Sequence, residues 1–355
     1  MCGALPAALF IRKYSYKKGV ILGLLLYAAG AILFLPAAST ASYAFYLVAI
    51  YIMASGCSVL ETTANPYIMS MGSPETATRR LNIAQSFNPI GSILGILVSK
   101  YFILQDISLY SVSGTYAGLG VVLLAIMVVM LFARMPEGKD ENESLNSKHS
   151  TLNSIRRLVH NRVYIRGVVA QFFYVGAQIG VWSFTIRLVM KELGYVEAQA
   201  ATLYLISIIG FCASRFVYTW LMKYVAPVRL LAAGSVLSAV CALVVVLAGG
   251  WVAVIALVLI SAFMSLMFPT IYGIALGSLN ENDNEKGDLK IGASGLIMAI
   301  LGGALITPLQ GMVSDATGSI NTSYVVPLVC FIVVLCYALF AVRNEKILSN
   351  PDSGR

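Results

Sequence analysis

A single carboxylate, Glu61, lies in the middle of a long apolar run in the first half of the chain. The run, from about residue 43 to residue 69, is long and apolar enough to cross a membrane. A charge at that depth costs about 2.5–3.5 kcal/mol on insertion scales, so it is kept where it faces a polar cavity. Asn65 follows one turn later on the same helix face, and Pro66 then removes a backbone hydrogen bond. An acid, an amide and an interrupted helix at membrane depth predict a transport site.

Glu61 is the candidate proton carrier. Burial disfavours the charged form of a carboxyl group, so the side chain can bind a proton on one side of the membrane and release it on the other. When the side chain is neutral, the protein can also change between its conformational states without leaving an unpaired charge in hydrocarbon. The alternative is a structural acid that hydrogen-bonds to neighbouring helices.

Three amides accompany this carboxylate: Asn65, Gln85 and Asn88. An amide donates and accepts hydrogen bonds at once, which suits sugar hydroxyl groups. Gln85 and Asn88 are three residues apart and share one helix face. The alternative is that these amides join helices to one another, as polar residues in membrane helices commonly do.

A second polar stripe runs along one later helix and consists of Gln171, Tyr174, Gln178 and Trp182. Amides meet sugar hydroxyl groups, and an aromatic ring meets the apolar face of a sugar. Aromatic residues near span ends also lie at the membrane interface, which is the alternative. Two cations further along, Arg215 and Lys223, are interpreted as parts of a cytoplasmic gate or as topology anchors and not as ligands.

Composition places the chain among polytopic membrane proteins with an all-α fold. Hydrophobic residues make up 59% and charged residues only 11%, whereas soluble proteins carry about 25% charged residues. The six cysteines and two histidines show no metal or disulfide spacing, so no metal site is expected. The 24 basic residues against 16 acidic ones mark topology, and no nucleic-acid partner is expected.

Ten spans are predicted, with starts near Gly19, Tyr43, Leu81, Gly114, Ile165, Glu197, Val228, Trp251, Asp288 and Ser323. Basic residues cluster in alternate loops, which are therefore cytoplasmic. These clusters are Arg12 to Lys18, Arg79 and Arg80, Arg134 to Arg166, Lys223 and Arg229, Lys286 and Lys290, and Arg343 and Lys346. The C-terminus is accordingly expected in the cytoplasm.

The chain divides into two halves that echo each other, as in transporters built from parallel repeats. We expect an incomplete N-terminal bundle at 1–135 (half a helix plus four spans), a cytoplasmic linker at 136–163, a six-helix bundle at 164–346 and a cytoplasmic tail at 347–355. If the halves are equivalent, the first helix and most of the second are missing.

No phosphate-binding loop for ATP is present, and His149 and His160 both lie in or beside the linker. An enzyme is therefore not expected, there are no catalytic residues, and no cofactor is needed. The energy would come from a proton gradient, or the protein would be a passive facilitator.

Four motifs carry a resemblance to a known family: LETTANPY at 60–67, RLNIAQSFN at 80–88, QFFYVGAQ at 171–178 and SAFMS at 261–265. They resemble the L-fucose:proton symporter branch of the major facilitator superfamily. The resemblance implies a twelve-helix, two-bundle fold that works by alternating access. It also implies that Glu61 is the proton-handling acid of helix four and that Asn88 is a nearby polar residue of helix five. A second acid, in the family's first helix, has no counterpart here.

The resemblance predicts a proton-coupled symporter that imports L-fucose across a bacterial inner membrane, with a monosaccharide, a proton and the lipid bilayer as partners. A monomer is expected. The related glucose/galactose branch tends to carry glutamine at the Glu61 position, so the glutamate favours fucose. Two alternatives stay open: a transporter of another hexose, and a non-transporting membrane sensor or remnant.

Overall fold

The computed structural model describes residues 3–103, 108–136, 151–279 and 288–349, and nearly all of them are helical. The α-helices are α1 (Ala4–Lys13), α2 (Tyr16–Ile32), α3 (Phe34–Thr40), α4 (Tyr43–Ser70), α5 (Ala77–Gln85), α6 (Asn88–Val98), α7 (Leu109–Phe132), α8 (Thr151–His160), α9 (Arg162–Leu193), α10 (Glu197–Leu221), α11 (Pro227–Leu247), α12 (Gly250–Met264), α13 (Met267–Gly277), α14 (Leu289–Met298), α15 (Leu301–Thr317), α16 (Ile320–Ser323) and α17 (Val325–Ser349). No strand occurs in these ranges, which agrees with the predicted all-α fold.

Ten helical segments in the described part of the chain are long and apolar enough to cross a membrane, as predicted. They are Tyr16–Thr40, Tyr43–Ser70, Pro74–Ile103, Leu109–Phe132, Arg162–Leu193, Glu197–Leu221, Pro227–Leu247, Gly250–Gly277, Leu289–Thr317 and Ile320–Arg343. The third begins earlier than the predicted start near Leu81, because the polar turn that includes Arg79 and Arg80 is already helical. Much of the predicted linker, residues 137–150, lies outside the described residues, as does the end of the tail from residue 350.

Helix ends follow from local chemistry. The Ser42 hydroxyl accepts the backbone N–H of Phe45 at the start of α4, and the Asn161 side chain accepts two N–H groups at the start of α9. These caps satisfy donors that lack a partner in the first turn. Helix α9 ends at Gly194, whose φ of 66° is a left-handed conformation that glycine adopts without steric cost.

The chain divides into two compact units that each combine segments distant in sequence. The first unit contains Met1–Pro74, Leu94–Leu158 and Leu279–Met298, and the second contains Glu75–Ile93, Val159–Ser278 and Ala299–Arg355. Helix α14 therefore belongs to the unit of α1 and α4, whereas α5 belongs to the unit of α10 and α13. The bundle boundaries expected from the sequence stay a prediction.

In the first unit, glycines bring the backbones of α2 and α4 together. A side chain at Gly30 would collide with the Met53 backbone, and one at Gly56 would collide with the backbone of Tyr27. Helices in lipid associate through close packing of this kind, because lipid chains are as apolar as the side chains and no hydrophobic effect drives the helices together. The α2–α4 contact therefore depends on small residues, and it holds the helix that carries Glu61.

The first unit also ties the linker helix α8 to the start of α14. Arg157 donates from Nε and one terminal nitrogen to the two carboxylate oxygens of Asp288, at 2.8 and 2.9 Å. The side chain of Asp288 is 2% exposed and that of Arg157 is 29% exposed. A two-point pair of this geometry fixes orientation as well as distance.

In the second unit, α9 is the central helix. It packs against α10, α12, α13, α15 and α17, and it contributes more buried side chains to the apolar core than any other helix of this unit. Helix α5 packs on α13, where Thr78 lies against Gly273 and Asn82 donates to the Thr270 hydroxyl at 3.3 Å. Four of the predicted sugar-contacting residues lie on α9, so this core positions them.

We predict that Gly56→Leu weakens the α2–α4 contact and lowers the free energy of unfolding by about 1–3 kcal/mol, because the new side chain overpacks a backbone contact. Gly118→Leu is the matched control, since nothing lies within 4 Å of a Cβ placed there. Thermal unfolding of the detergent-solubilised variants measures the difference. An equal loss in both variants would contradict the packing argument.

We also predict that Arg157→Gln destabilises more than Asp288→Asn. Removing the arginine leaves a buried carboxylate unpaired, which costs about 3–5 kcal/mol at a fully buried pair and less where one partner is part-exposed. Removing the aspartate leaves an arginine that water can reach. The same unfolding measurement tests the order of the two variants, and the reverse order would refute it.

Candidate functional site

Glu61 and Asn65 lie in the first unit, on helix α4. Glu61 is part-exposed, but its Oε2 atom is fully buried and has no hydrogen-bond partner among the described residues. Within those residues, no cation pairs with it. Asn65 is 3% exposed on the same helix face. A buried carboxylate oxygen without a cation is most simply satisfied by a proton, which is the chemistry predicted for Glu61.

The neighbouring hydroxyl groups do not serve this carboxylate. Thr62 and Thr63 donate back to the carbonyl oxygens of Ser58 and Val59, at 2.7 and 2.6 Å, within their own helix. Both side chains are fully buried. The proton-carrier role of Glu61 stays a prediction.

The other predicted ligands all lie in the second unit. Gln85 ends α5 and Asn88 begins α6, and the Asn88 amide donates to the Gln85 side-chain oxygen at 3.4 Å. Asn88 is exposed and Gln85 is part-exposed. The structure thus brings these two amides together at a helix interruption.

The stripe on α9 is not uniform in depth. Gln171 is fully buried, and neither polar atom of its amide has a partner in the described ranges. Tyr174 is also fully buried, and its hydroxyl donates to the Met264 carbonyl oxygen at 3.1 Å. Gln178 and Trp182 are both part-exposed. Helical spacing placed the four on one stripe, but only the last two are open to a ligand in this structure.

Trp182 belongs to a small network of helices α9, α10 and α12. Its indole N–H donates to the Ser261 hydroxyl at 3.3 Å, and Ser207 donates to the same oxygen at 2.6 Å. The Trp182 ring packs edge-on against Phe211, with centroids 5.1 Å apart. The ring is therefore held at a fixed angle by these contacts.

The two candidate gate cations, Arg215 and Lys223, differ in burial and in hydrogen bonding. Arg215 is 3% exposed and donates to the backbone at 2.6 and 2.9 Å. Lys223 follows the end of α10 and is exposed. The structure therefore separates a buried, backbone-bound cation from a surface cation.

No cluster of histidine, cysteine or acidic residues that would hold a metal occurs in the described part of the chain. A cavity of about 460 Å³ lies beside α7, and none of the predicted site residues lines it. Its walls are mainly apolar, which does not suit a sugar; they consist of Val98, Phe102, Tyr110, Ser111, Gly114, Thr115, Gly118 and Leu119.

Comparison with known proteins decides the family. The Major Facilitator Superfamily profile matches residues 1–287. The chain belongs to the major facilitator superfamily. The transporter is similar to the L-fucose-proton symporter of Haemophilus influenzae (strain ATCC 51907 / DSM 11121 / KW20 / Rd), with 41% identity over 97% of this chain and 85% of that protein.

This transporter is also similar to a second relative in sequence and to a solved structure. The putative glucose/galactose transporter of Helicobacter pylori (strain J99 / ATCC 700824) is 34% identical over 95% of this chain and 83% of that protein. The crystal structure of the E. coli fucose:proton symporter FucP, 35% identical, matches with a TM-score of 0.87 over 96% of this chain and 87% of that chain. The predicted fold class and family are thus confirmed.

Several contacts of this transporter were not predicted from its sequence. Ser207 and Phe211 orient Trp182, and both are ordinary residues of an apolar helix when read in sequence. One signal was present for Arg215. It binds carbonyl groups that lie four residues before prolines, where the regular helical hydrogen bond is absent.

We predict that Trp182→Phe and Ser261→Ala both weaken sugar binding, because each removes the hydrogen bond between the Trp182 indole and the Ser261 hydroxyl. The two effects should not add in the double variant, since coupled residues deviate from additivity by about 0.5–3 kcal/mol. Sugar-dependent thermal stabilisation of the purified transporter measures all three. Ser183→Ala, at an exposed position next to Trp182, is the control and should bind as the parent does. Fully additive losses would contradict the coupling.

Proposed function

We propose that this transporter is a proton-coupled symporter that imports L-fucose by alternating access. The observation that carries the proposal is Glu61, a carboxylate at membrane depth with a buried, unpartnered oxygen among the described residues. The 41% identity to a protein named L-fucose-proton symporter supports the choice of sugar and ion. The 34% identity to a putative glucose/galactose transporter is lower.

Glu61 is assigned the proton. An ionised carboxylate in a low-dielectric site carries a large solvation penalty unless a partner compensates it. Binding a proton removes that charge, so the protonated transporter can change between its two access states with less penalty. Release of the proton on the cytoplasmic side, where its concentration is lower, makes the cycle directional. Sugar movement is coupled because both ligands are needed for the same transition.

The sugar is assigned to the second unit. Asn88 and Gln85 provide donors and acceptors for hydroxyl groups, and Gln178 adds a third amide, which is part-exposed. Trp182 provides an oriented aromatic ring for the apolar face of the sugar. Gln171 and Tyr174 are proposed as contributors at greater depth, since both are buried in this structure. Asn65, which is also buried, lies with Glu61 in the first unit.

The remaining assignments follow from transport driven by a gradient. The protein requires no cofactor, performs no covalent chemistry and works as a monomer in a bacterial inner membrane. The C-terminus lies in the cytoplasm, which the alternation of basic loops supports. Lys223 is assigned to the cytoplasmic side of the pathway, whereas Arg215 is buried deeper in α10.

A second candidate function is transport of another hexose such as galactose or glucose, which the relative from Helicobacter pylori favours. Competition against labelled fucose by a panel of monosaccharides separates the two. Inhibition by unlabelled fucose alone supports the fucose assignment. Stronger inhibition by galactose or glucose would transfer the assignment to those sugars.

We predict that Glu61→Gln abolishes uphill uptake of L-fucose into proteoliposomes with an acidified exterior but leaves exchange of labelled for unlabelled sugar. Glutamine keeps the size and the hydrogen bonds of a protonated glutamate but cannot release a proton. Uptake by the parent protein should rise with external acidity and disappear when a protonophore collapses the gradient.

Glu197→Gln is the matched control for this experiment. Glu197 is an exposed acid in the first turn of α10, so its neutralisation should leave uphill uptake unchanged. Persistence of uphill, proton-driven uptake in Glu61→Gln would remove Glu61 from the coupling mechanism.

A further inference from the structure

A single guanidinium group, that of Arg215 on α10, bonds the backbone at two helix interruptions. Its Nε atom donates to the Ser265 carbonyl oxygen at 2.6 Å, between α12 and α13. Its Nη1 atom donates to the Gln85 carbonyl oxygen at 2.9 Å, at the end of α5. All these segments belong to the second unit, so the arrangement is internal to one compact body.

Both carbonyl groups precede a proline by four residues. Pro89 follows Gln85 at that spacing, and Pro269 follows Ser265. In a regular helix the N–H of the later residue would donate to the earlier carbonyl, but proline has no N–H. Water is absent from the hydrocarbon region, so a carbonyl left in this way needs a donor from the protein. Arg215 supplies the two donors that the prolines lack.

The geometry of the guanidinium fits this role. Its N–H groups form a rigid planar fork, whereas a lysine ammonium is a single point of charge on a flexible stem. The fork stacks over the Phe211 ring at 4.6 Å, and Phe211 packs in turn against Trp182 at 5.1 Å. No carboxylate pairs with Arg215 in the described ranges, so its charge is directed at the two carbonyl groups.

The Met264 carbonyl oxygen, next to the one that Arg215 binds, accepts the Tyr174 hydroxyl. The interruption between α12 and α13 is therefore held from α9 and from α10 at once. On the other side, Gln85 is hydrogen-bonded through its side chain to Asn88. Arg215 thus lies between the amide pair assigned to the sugar and the aromatic ring assigned to the same sugar.

We propose that Arg215 is a positioning residue that caps both proline-interrupted helices and thereby sets the orientation of the Gln85–Asn88 amide pair. It does not touch the sugar. The link to sugar binding rests on the function proposed above, whereas the capping of the two carbonyl groups does not. A test must therefore include one measurement that is independent of transport.

The first measurement is hydrogen–deuterium exchange of backbone amides in the purified full chain. In Arg215→Gln, exchange should rise in peptides that cover the α5–α6 and α12–α13 interruptions, and it should stay unchanged in α2 and α4. The second measurement is sugar exchange in proteoliposomes. The half-saturating concentration should rise about tenfold, because the amide pair loses the orientation that the hydrogen bonds of Arg215 give it, with a smaller change in maximal rate.

Proline replacement provides the decisive control. Pro89→Ala and Pro269→Ala each restore the missing N–H, so together they should return both measurements in Arg215→Gln towards the parent values. Pro308→Ala, which removes a proline within α15 far from these carbonyls in sequence, should not. Arg215→Lys keeps the charge without the fork and should resemble Arg215→Gln.

Each outcome decides the proposal. Rescue by the two alanines and not by Pro308→Ala supports it. Three results would overturn it: unchanged hydrogen–deuterium exchange in Arg215→Gln, equal rescue by Pro308→Ala, or parent-like behaviour of Arg215→Lys in both measurements. If Arg215→Gln does not fold, recovery of monodisperse protein by the two alanines replaces the exchange readout, and failure to recover counts against the cap. A further outcome separates the cap from the proposed function. If amide exchange changes locally and is rescued, but neither the parent nor any variant exchanges fucose, the cap is upheld and the proposed function is refuted.

Discussion

Every backbone N–H and carbonyl group inside a hydrocarbon layer must find a partner within the protein, and this constraint governs the structure. Uninterrupted helices meet it internally, which is why the described chain is helical almost throughout. Prolines break the pattern, because each removes one donor and leaves one carbonyl without its regular bond. At these positions the chain depends on side chains from neighbouring helices, such as Arg215 and Tyr174.

Candidate functional groups gather where the helices are interrupted. Gln85 and Asn88 flank the break between α5 and α6, and Tyr174 reaches the break between α12 and α13. A regular helix directs all its backbone polar groups inward along its own axis, so it offers few of them to a ligand. An interruption frees the chain locally and lets side chains from three helices meet. The same feature that needs stabilisation therefore also forms the polar site.

Arg215 and Glu61 are two ionisable groups within predicted spans, and they differ in whether fixed hydrogen-bond partners surround them. Arg215 cannot lose its proton, so it is held permanently by two carbonyl oxygens and an aromatic ring. Glu61 can be neutralised, and its buried Oε2 has no fixed partner in the described residues. A fixed set of acceptors suits a structural charge, whereas the absence of a fixed donor leaves a carboxylate able to bind and release a proton. This contrast supports a structural task for the arginine and a coupling task for the glutamate.

The sequence by itself determined the membrane class, the ten spans and the exceptional position of Glu61, because hydrophobicity over a fixed bilayer thickness is a property of local composition. It also determined which residues share a helix face, as for Gln171, Tyr174, Gln178 and Trp182. It did not determine depth: the first two are fully buried and the last two are part-exposed. Only the tertiary structure decided that, together with the partners of Trp182 and Arg215. Burial and hydrogen bonding between helices depend on residues 50 to 130 positions apart in the chain, whose contacts no local pattern specifies.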